Sequence, residues 1–539
     1  MPADEDLLLA FRYMHVAEAK RLLSRRTKAA AVRDHWWLNE RTLLHYSCSH
    51  GWLDVTKRLV EKYSCDPGIS DNEGETPLHE ACREGHTDVV MYLVREIGVS
   101  AICFNMEGDT PLDLACEHGH QNVVEFLMKW DINTAWLCRQ KVALLHQSCL
   151  LNVTRALVED HKYNPESRDK QGRSFFHMAC HQGHVDIVKY LVSTCQCSIA
   201  CQDSKNVDTP LHLACKQRNL CIAEILTTGK DIDTACQYQN QEGKTVLHYC
   251  CRNGWLDVTR TLVEKHHCHP DRWVDNDGET PLHKACFEGH MDIVMYLVDC
   301  GCDTAHKNYA DSNTPMHLAC SEKHLDIVEI LLTGHGREMA SVSQNASKKA
   351  PIHYSCRNGW FDITKRLVEQ YDCDPDVRDC EGATPLHEAC CKGQVDIVRY
   401  LVSECACSIS YQNSLGNTPL HLAVYIQGQM SMAEILLSGF DCSTAGKCKN
   451  KDGKTPLHYC CRNGWLRVTR TLVEQHGCDP DSRDRWNNTP LHEACRMDRT
   501  DVVQFLLSTG RVDPWCRNTS NQTPLQLSKD YMHNCKIVQ

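Results

Sequence analysis

Between Asp71 and about Ser100, apolar residues recur in two short stripes, each at helical spacing and each bounded by polar turns. Leu78, Ala81 and Cys82 form the first stripe. Val89, Val90, Leu93 and Val94 form the second, with Asp88 and Glu96 among its solvated positions. The boundaries carry their own chemistry. Thr76 stands where an N-cap is wanted, and Pro77 occupies the first helical position, where a missing N–H costs nothing. Gly85 suits a left-handed helix end. Ahead of Thr76, Asp71-Asn72-Glu73-Gly74 has turn chemistry, because Gly74 takes positive φ without strain and Asp71 can bond its own backbone. The pattern predicts a hairpin tip followed by two short antiparallel helices.

The same arrangement returns along the chain. Thr-Pro-Leu-His or a close variant occurs fifteen times at intervals of 31 to 37 residues, most clearly at Thr76, Thr209, Thr280, Thr384 and Thr489. A fixed period near 34 residues means one supersecondary unit stacked on itself, each copy burying the face its neighbour cannot bury alone. With T-P-L-H-x-A at the first helix and Gly-His at Gly85-His86, Gly119-His120, Gly183-His184 and Gly289-His290, the unit resembles the ankyrin repeat. The resemblance implies an all-α solenoid of stacked helix pairs with short hairpin loops. It runs from about Thr42 to the C-terminus, and Asp6 to Ser24 is similar to a helix pair without its hairpin. The expected organisation is therefore N-terminal capping helices in 1–41, then about fifteen repeats in 42–539, the last one incomplete or capping.

A second period lies inside the first. One kind of repeat carries His-Tyr and Arg-Asn-Gly-Trp, as at His248–Trp255, His353–Trp360 and His458–Trp465, foreshadowed at His45-Tyr46 and Gly51-Trp52. A second kind has His-x-Ala-Cys with a Tyr-Leu-Val helix end at Tyr92, Tyr190, Tyr296 and Tyr400, and a third reads Leu-Ala-Cys. This alternation reads as five blocks of three, starting at Thr42, Ala143, Thr245, Ala350 and Thr455. Some copies depart from the pattern. The fourth lacks the Gly-Trp turn between Cys149 and Val153, and Asp113 replaces the signature His. Gln344 to Lys349 lacks the Asp-x-x-Gly tip, a residue is added near Ile426-Gln427, and in the last copy the polar Gln526 and Lys529 stand where His and Cys stood.

A solenoid grows linearly, so 539 residues need not divide into several globular cores. No run of about eighteen apolar residues exists, so no membrane insertion is expected. The acidic start Met1–Asp6 lacks the basic beginning of a secretory signal. A net charge of −12 spread along the chain argues against general affinity for nucleic acid. Of the 36 cysteines, thirteen fall at the small inward position after the signature Ala, and Cys65, Cys268, Cys373 and Cys478 stand near a Pro. Free Cys packs as a small hydrophobe. Equivalent residues of adjacent repeats should lie roughly 8–10 Å apart, beyond the roughly 7 Å a disulfide allows, and a ladder of single thiols does not converge on zinc. The exceptions are Cys195-x-Cys197, Cys300-x-Cys302 and Cys405-x-Cys407, where a third partner could complete a metal site. No metal or cofactor is expected, and a reducing compartment follows, cytoplasmic or nuclear.

Thirteen of the 31 histidines belong to the signature, so they repeat structurally and do not converge on one place, as an active site must. No phosphate loop, nucleophile elbow or His-Glu-x-x-His is present. Asn152-Val153-Thr154 and Asn345-Ala346-Ser347 match the glycosylation tripeptide, but the compartment argues against its use. The expectation is a non-enzymatic scaffold or adaptor, monomeric, that binds partner proteins through the concave face of hairpin tips and first helices. Function should sit where the scaffold leaves the residue open: Glu73 and Arg83; Asn276, Asp277 and Phe287; Arg485, Trp486 and Asn487; and the recurring pairs Arg252-Asn253, Arg357-Asn358 and Arg462-Asn463. Glu75 and Arg496 belong to the same positions. Arg and Trp are common interface anchors, and Trp486 on a polar tip is the first choice. The Gly-Trp series (Trp52, Trp255, Trp360, Trp465) falls at the turn between helices, so each indole is expected to pack over its own helix pair. The rival readings are a regulatory ankyrin portion of a larger signalling protein or ubiquitin-ligase adaptor, and a thiol-rich metal or redox protein.

Overall fold

The computed structural model describes residues 9–11, 13–24, 40–130, 151–159, 164–169, 172–425 and 430–531. These residues fold as helix pairs, and the β-features among them are isolated bridge residues, at Arg41 and between Arg168 and Ser174. The expected all-α ankyrin solenoid is the fold observed. In the repeat at Asp71 the first helix spans Pro77–Arg83, with Thr76 extended at its N-cap and its hydroxyl accepting the His79 N–H. Gly85 ends that segment at φ +79°. The second helix begins at Thr87 and continues past Met91 as a π-helical turn, Tyr92–Glu96. Contacts divide the chain into two units, Met1–Val246 with Glu264–Cys268, and Leu247–Val263 with His269–Gln539.

Within each unit the apolar stripes meet their neighbours. In the first, Leu78, Ala81, Cys82, Val89, Val90 and Leu93 are completely buried, and in the second Leu386, Ala389, Cys390, Val398 and Leu401 take the same places. Leu282 is 1% exposed. Its replacement by Ala should cost about 2–5 kcal/mol, read as a lowered chemical-denaturation midpoint.

The signature histidine ties one repeat to the next. His387 Nδ1 accepts the Thr384 N–H at 3.1 Å, and its Nε2 donates to the Asn417 carbonyl of the following hairpin at 3.1 Å. The same pair of bonds recurs at His283, to Thr280 and Asn313, and at His458, to Thr455 and Asn488. Gly-His has a related role. His290 Nε2 donates to the Arg252 carbonyl at 2.9 Å, and its ring lies where a Cβ on Gly254 (φ +79°) would meet it at 2.8 Å. Glycine before the Trp or His turn is thus required by the backbone angle and by the neighbour's imidazole.

The departures resolve physically. Asp113 keeps half of the histidine's work, since its carboxylate accepts the Thr110 N–H and hydroxyl at 2.6 and 2.7 Å, but an ionised carboxylate has no proton to offer the next hairpin. Gln526 Oε1 likewise accepts the Thr523 N–H at 2.9 Å. Ser528, at the signature alanine's place, is buried and donates to the Leu525 carbonyl. The tip at Gln344–Lys349 survives without glycine. Asn345 Oδ1 accepts the Lys349 N–H at 3.0 Å, and Lys348 takes φ +56°. Of the N-terminal helices, Val16–Ser24 forms, and the Leu23 carbonyl accepts the Tyr63 hydroxyl at 2.6 Å. The start of the fourth repeat through Leu150, the insertion at Ile426-Gln427 and most of 25–41 lie outside the described residues. Short extra helices, Ile232–Ala235, Arg337–Val342 and Cys442–Lys447, follow three second helices. Their entry brings Gly229, Gly334 and Gly439 against Ile199, Thr304 and Ile409, close enough that an added Cβ would stand 2.9, 2.8 and 3.1 Å away.

Candidate protein-binding surface

Each described hairpin tip is built on one Asp or Asn, buried at most tips and half-buried at Asp169 and Asn413. Asp484 Oδ1 accepts the N–H groups of Trp486 and Asn488 at 2.9 and 2.8 Å, and Asp71 does the same for Glu73 and Glu75. Adjacent tips are joined by one backbone bond: Met106 N–H to Glu73 O, Tyr309 N–H to Asp277 O, Lys451 N–H to Leu415 O, Arg485 N–H to Asp452 O, Thr519 N–H to Trp486 O. Backbone groups therefore hold the row of tips, and the side chains at the two tip positions are left to face outward.

Charge beneath the tips is compensated inside the scaffold. Arg41 pairs with Asp71 and Glu80, Lys349 with Asp379 and Glu388, and Lys454 with Asp484 and Glu493. In the repeat at Thr280 the helix carries Lys284 where those at Thr76, Thr384 and Thr489 carry Glu80, Glu388 and Glu493, and this lysine itself neutralises Asp275 at 2.8 Å and bonds Glu279. Burial by itself would raise the Glu493 carboxyl, but the Lys454 charge and hydrogen bond outweigh it and hold the group below its usual range.

The sequence-derived candidates divide into those the scaffold uses and those it does not. Arg83 bonds Glu75 at 2.7 Å and Glu80 at 2.9 Å, and Glu75 is buried, so this cluster belongs to the ion-pair layer. Asn358 and Asn463 donate to the carbonyls of Cys320 and Val424, at 2.9 and 2.6 Å, in the preceding repeat. Asn253 is half-buried at the same position. Arg252 pairs with Glu288 at 3.2 Å, and Arg357 with Glu388 at 3.4 Å. Glu73, Asn276, Asp277 and Asn487 are exposed on tips, Asn487 at φ +56°. Phe287 is 48% exposed and Trp486 43%. Among the described residues no side chain engages the guanidinium of Arg462 or Arg485, both exposed, although the Arg462 carbonyl accepts from Arg499 Nε at 3.0 Å. The Gly-Trp indoles are half-buried, and Trp52 lies 5.1 Å from His50 of its own repeat and 5.4 Å from Phe11.

Two adjoining grooves open on this face of the second unit. One, of about 460 Å³, is lined by Leu415, Leu422, Tyr425 and Tyr459, with Lys451 at its rim. The other, of about 540 Å³, is lined by Trp486, Arg496, Thr519 and Gln522. Lys454 links them, its ammonium 5.6 Å from the Tyr459 ring and 5.8 Å from Trp486. Tyr425, 63% exposed and edge-on to Tyr459 at 5.6 Å, and Leu415, 59% exposed, are the residues that sequence reasoning missed. Tyr425 follows Ala423-Val424 at the position of Phe287 and Arg83, which is the signal that could have found it.

The signature cysteines are buried, and burial pushes the Cys48 and Cys356 thiols up to about 12. In each Cys-x-Cys pair the second thiol is buried and the first is more accessible. A hydrogen bond from Cys407 holds the Cys405 thiol below its usual value. Among the described residues no three His, Cys, Asp or Glu side chains gather to hold a metal ion, and no helix is long and apolar enough to cross a membrane.

A family model described as ankyrin repeats (3 copies) matches residues 7–103, 57–135, 145–237, 233–308, 271–340, 305–379, 352–446 and 420–518. The chain belongs to the ankyrin-repeat family, whose repeats are generally protein–protein interaction modules. The chain is also 32% identical over 104 residues to SMC5-SMC6 complex localization factor protein 1 of Bos taurus, a match spanning 19% of this chain and 10% of that protein's length.

Proposed function

We propose that this protein is a non-enzymatic scaffold or adaptor that grips partner proteins through the face formed by its hairpin tips and first helices. The observation that carries the reading is the division of labour on that face. Buried Asp and Asn residues, signature histidines, backbone groups and internal ion pairs satisfy the scaffold, while among the described residues the exposed Arg485 and Arg462 guanidinium groups are left over and the Trp486 indole meets only the Lys454 ammonium, at 5.8 Å. A long side chain held at a fixed place with no structural duty is available for recognition, and Trp and Arg supply much of the energy at interfaces. Rigid presentation also lowers the ordering cost of association. A reducing compartment, cytosol or nucleus, is favoured by the buried signature thiols and by the lack of disulfides among the described cysteines. The short match to a complex-localization factor is compatible with the nucleus and supplies no partner.

The test begins with partners recovered on the full chain and identified by mass spectrometry. Trp486→Ala combined with Arg462→Ala should weaken their binding by about tenfold or more, the range of interface anchors, with the melting transition nearly unchanged. A variant that binds normally, or that loses folding and binding together, would remove these residues from the interface.

A further inference from the structure

We infer that the paired grooves from Leu415 to Thr519 recognise an acidic, extended peptide segment carrying a bulky apolar side chain. This rests on the scaffold reading and specifies the partner's chemistry for one part of the face. The first argument is charge. From Lys447 to Arg517 the chain holds thirteen Lys and Arg against nine Asp and Glu, within a protein whose net charge is −12. The excess is not consumed locally. Lys454 and Arg496 are matched by Asp484 and Glu493, whereas among the described residues no carboxylate pairs with the charged groups of Lys451, Arg462 or Arg485, all exposed.

The second argument is the change of character along the row of tips. The second tip position is acidic at Glu73, Glu107, Glu242, Asp277 and Glu381, though not at Lys205, Ala310 and Ser347, then becomes Leu415, is acidic once more at Asp452, and becomes Trp486. The first tip position turns basic over the same stretch, at Lys451 and Arg485. Because backbone bonds join these tips in sequence, their side chains stand in register, and an extended chain crossing them meets apolar and cationic positions in turn, with the single carboxylate of Asp452 beside Lys451. Leu415, Leu422 and the edge-on pair Tyr425 and Tyr459 make a recess suited to a large apolar group. The flanking cations suit carboxylates, whose attraction to an uncompensated patch is felt over roughly a Debye length of 8–10 Å.

The experiment pans a random 16-residue peptide display library against the immobilised full chain. Fluorescein-labelled versions of the enriched peptides are then measured by anisotropy on the wild type, on Lys451→Glu/Arg485→Glu, and on Tyr425→Ala. All three positions are exposed, so melting curves should be unchanged. Expected are sequences with Asp or Glu flanking Leu, Phe or Trp, binding weakened about tenfold or more by either variant, and affinity that falls as salt rises. Enriched peptides without acidic residues, or indifferent to both variants, would overturn the inference while leaving the scaffold reading intact. A chain that enriches no peptide at any site would count against both.

Discussion

Lowering the pH from 6.5 towards 4 is expected to unfold the second unit progressively, with no other change of condition. Five signature histidines there, His283, His317, His387, His421 and His458, are buried, and burial drives their pKa down to about 3 for His283 and about 4 for the others. Geometry gives the same answer, because Nδ1 accepts a backbone N–H and only Nε2 carries a proton. In the unfolded chain a histidine titrates near 6.5. Stability is therefore whole above about pH 6.5 and is lost as the pH falls towards 4, since the unfolded state takes up protons that the folded state cannot hold. Each histidine contributes about 1.4 kcal/mol per pH unit inside that window, so five approach about 7 kcal/mol per pH unit if the unit unfolds together. That is comparable with the whole stability of an ordinary domain, about 5–15 kcal/mol. Asp271, Asp376 and Asp481, whose carboxyls burial raises, oppose the trend at the acid end only. Denaturant midpoints measured from pH 7.5 to 5 should fall, and His387→Gln should remove about one proton from the slope, because a glutamine amide oxygen can accept the threonine N–H as Gln526 does. A midpoint that stays level over this range would show that the histidines are not held neutral.

What was legible in the sequence was what local geometry dictates. Thr-Pro at a helix start, glycine at a helix end and apolar spacing are properties of a few consecutive residues, so the repeat and its boundaries could be written down before any contact was known. The extra helices Ile232–Ala235, Arg337–Val342 and Cys442–Lys447 have no such mark. Each follows from a glycine pressed against the preceding repeat, some 30 residues away in sequence. The surface followed the same rule. Trp486 and Phe287 were readable as exposed because no scaffold position wants them. Asn358, Asn463, Arg83 and Glu75 looked equally open, yet their partners are a carbonyl 38 or 39 residues back, or an ion-pair layer made by several elements. Nothing in the local string announces a partner across the stack. Tyr425 was missed for the opposite reason: its neighbour Val424 replaces the signature cysteine, and the irregular stretch after it drew the eye from the exposed ring.

Removing one ammonium group should cost the second unit about as much as truncating one of its core leucines. Lys284 stands 2.8 Å from the Asp275 carboxylate, whose side chain has no exposure, and also bonds Glu279. Burial opposes the ionised form of Asp275, but the Lys284 bond, the Glu279 N–H and the Lys284 charge together offset it and keep the carboxyl below its usual range. Elsewhere an Arg or Lys from the preceding repeat, Arg41, Lys349 or Lys454, meets the equivalent aspartate. In Lys284→Met the aspartate keeps its bonds from the Asp277 and Glu279 N–H groups at 3.1 and 2.9 Å and loses the cation at 2.8 Å. Stranding one member of a buried pair costs about 3–5 kcal/mol, read as a drop in the denaturant midpoint at pH 7.5. The companion substitution Asp275→Asn distinguishes lost charge pairing from lost packing. Asparagine fills this place in other tips, where Asn308 Oδ1 and Asn345 Oδ1 accept the same kind of backbone N–H. Asp275→Asn with Lys284→Met should therefore recover most of the loss, because the buried charge and its partner leave together while the turn keeps its acceptor. If the double variant is as unstable as Lys284→Met alone, the lysine's methylene packing carries the stability, and the ion pair is incidental.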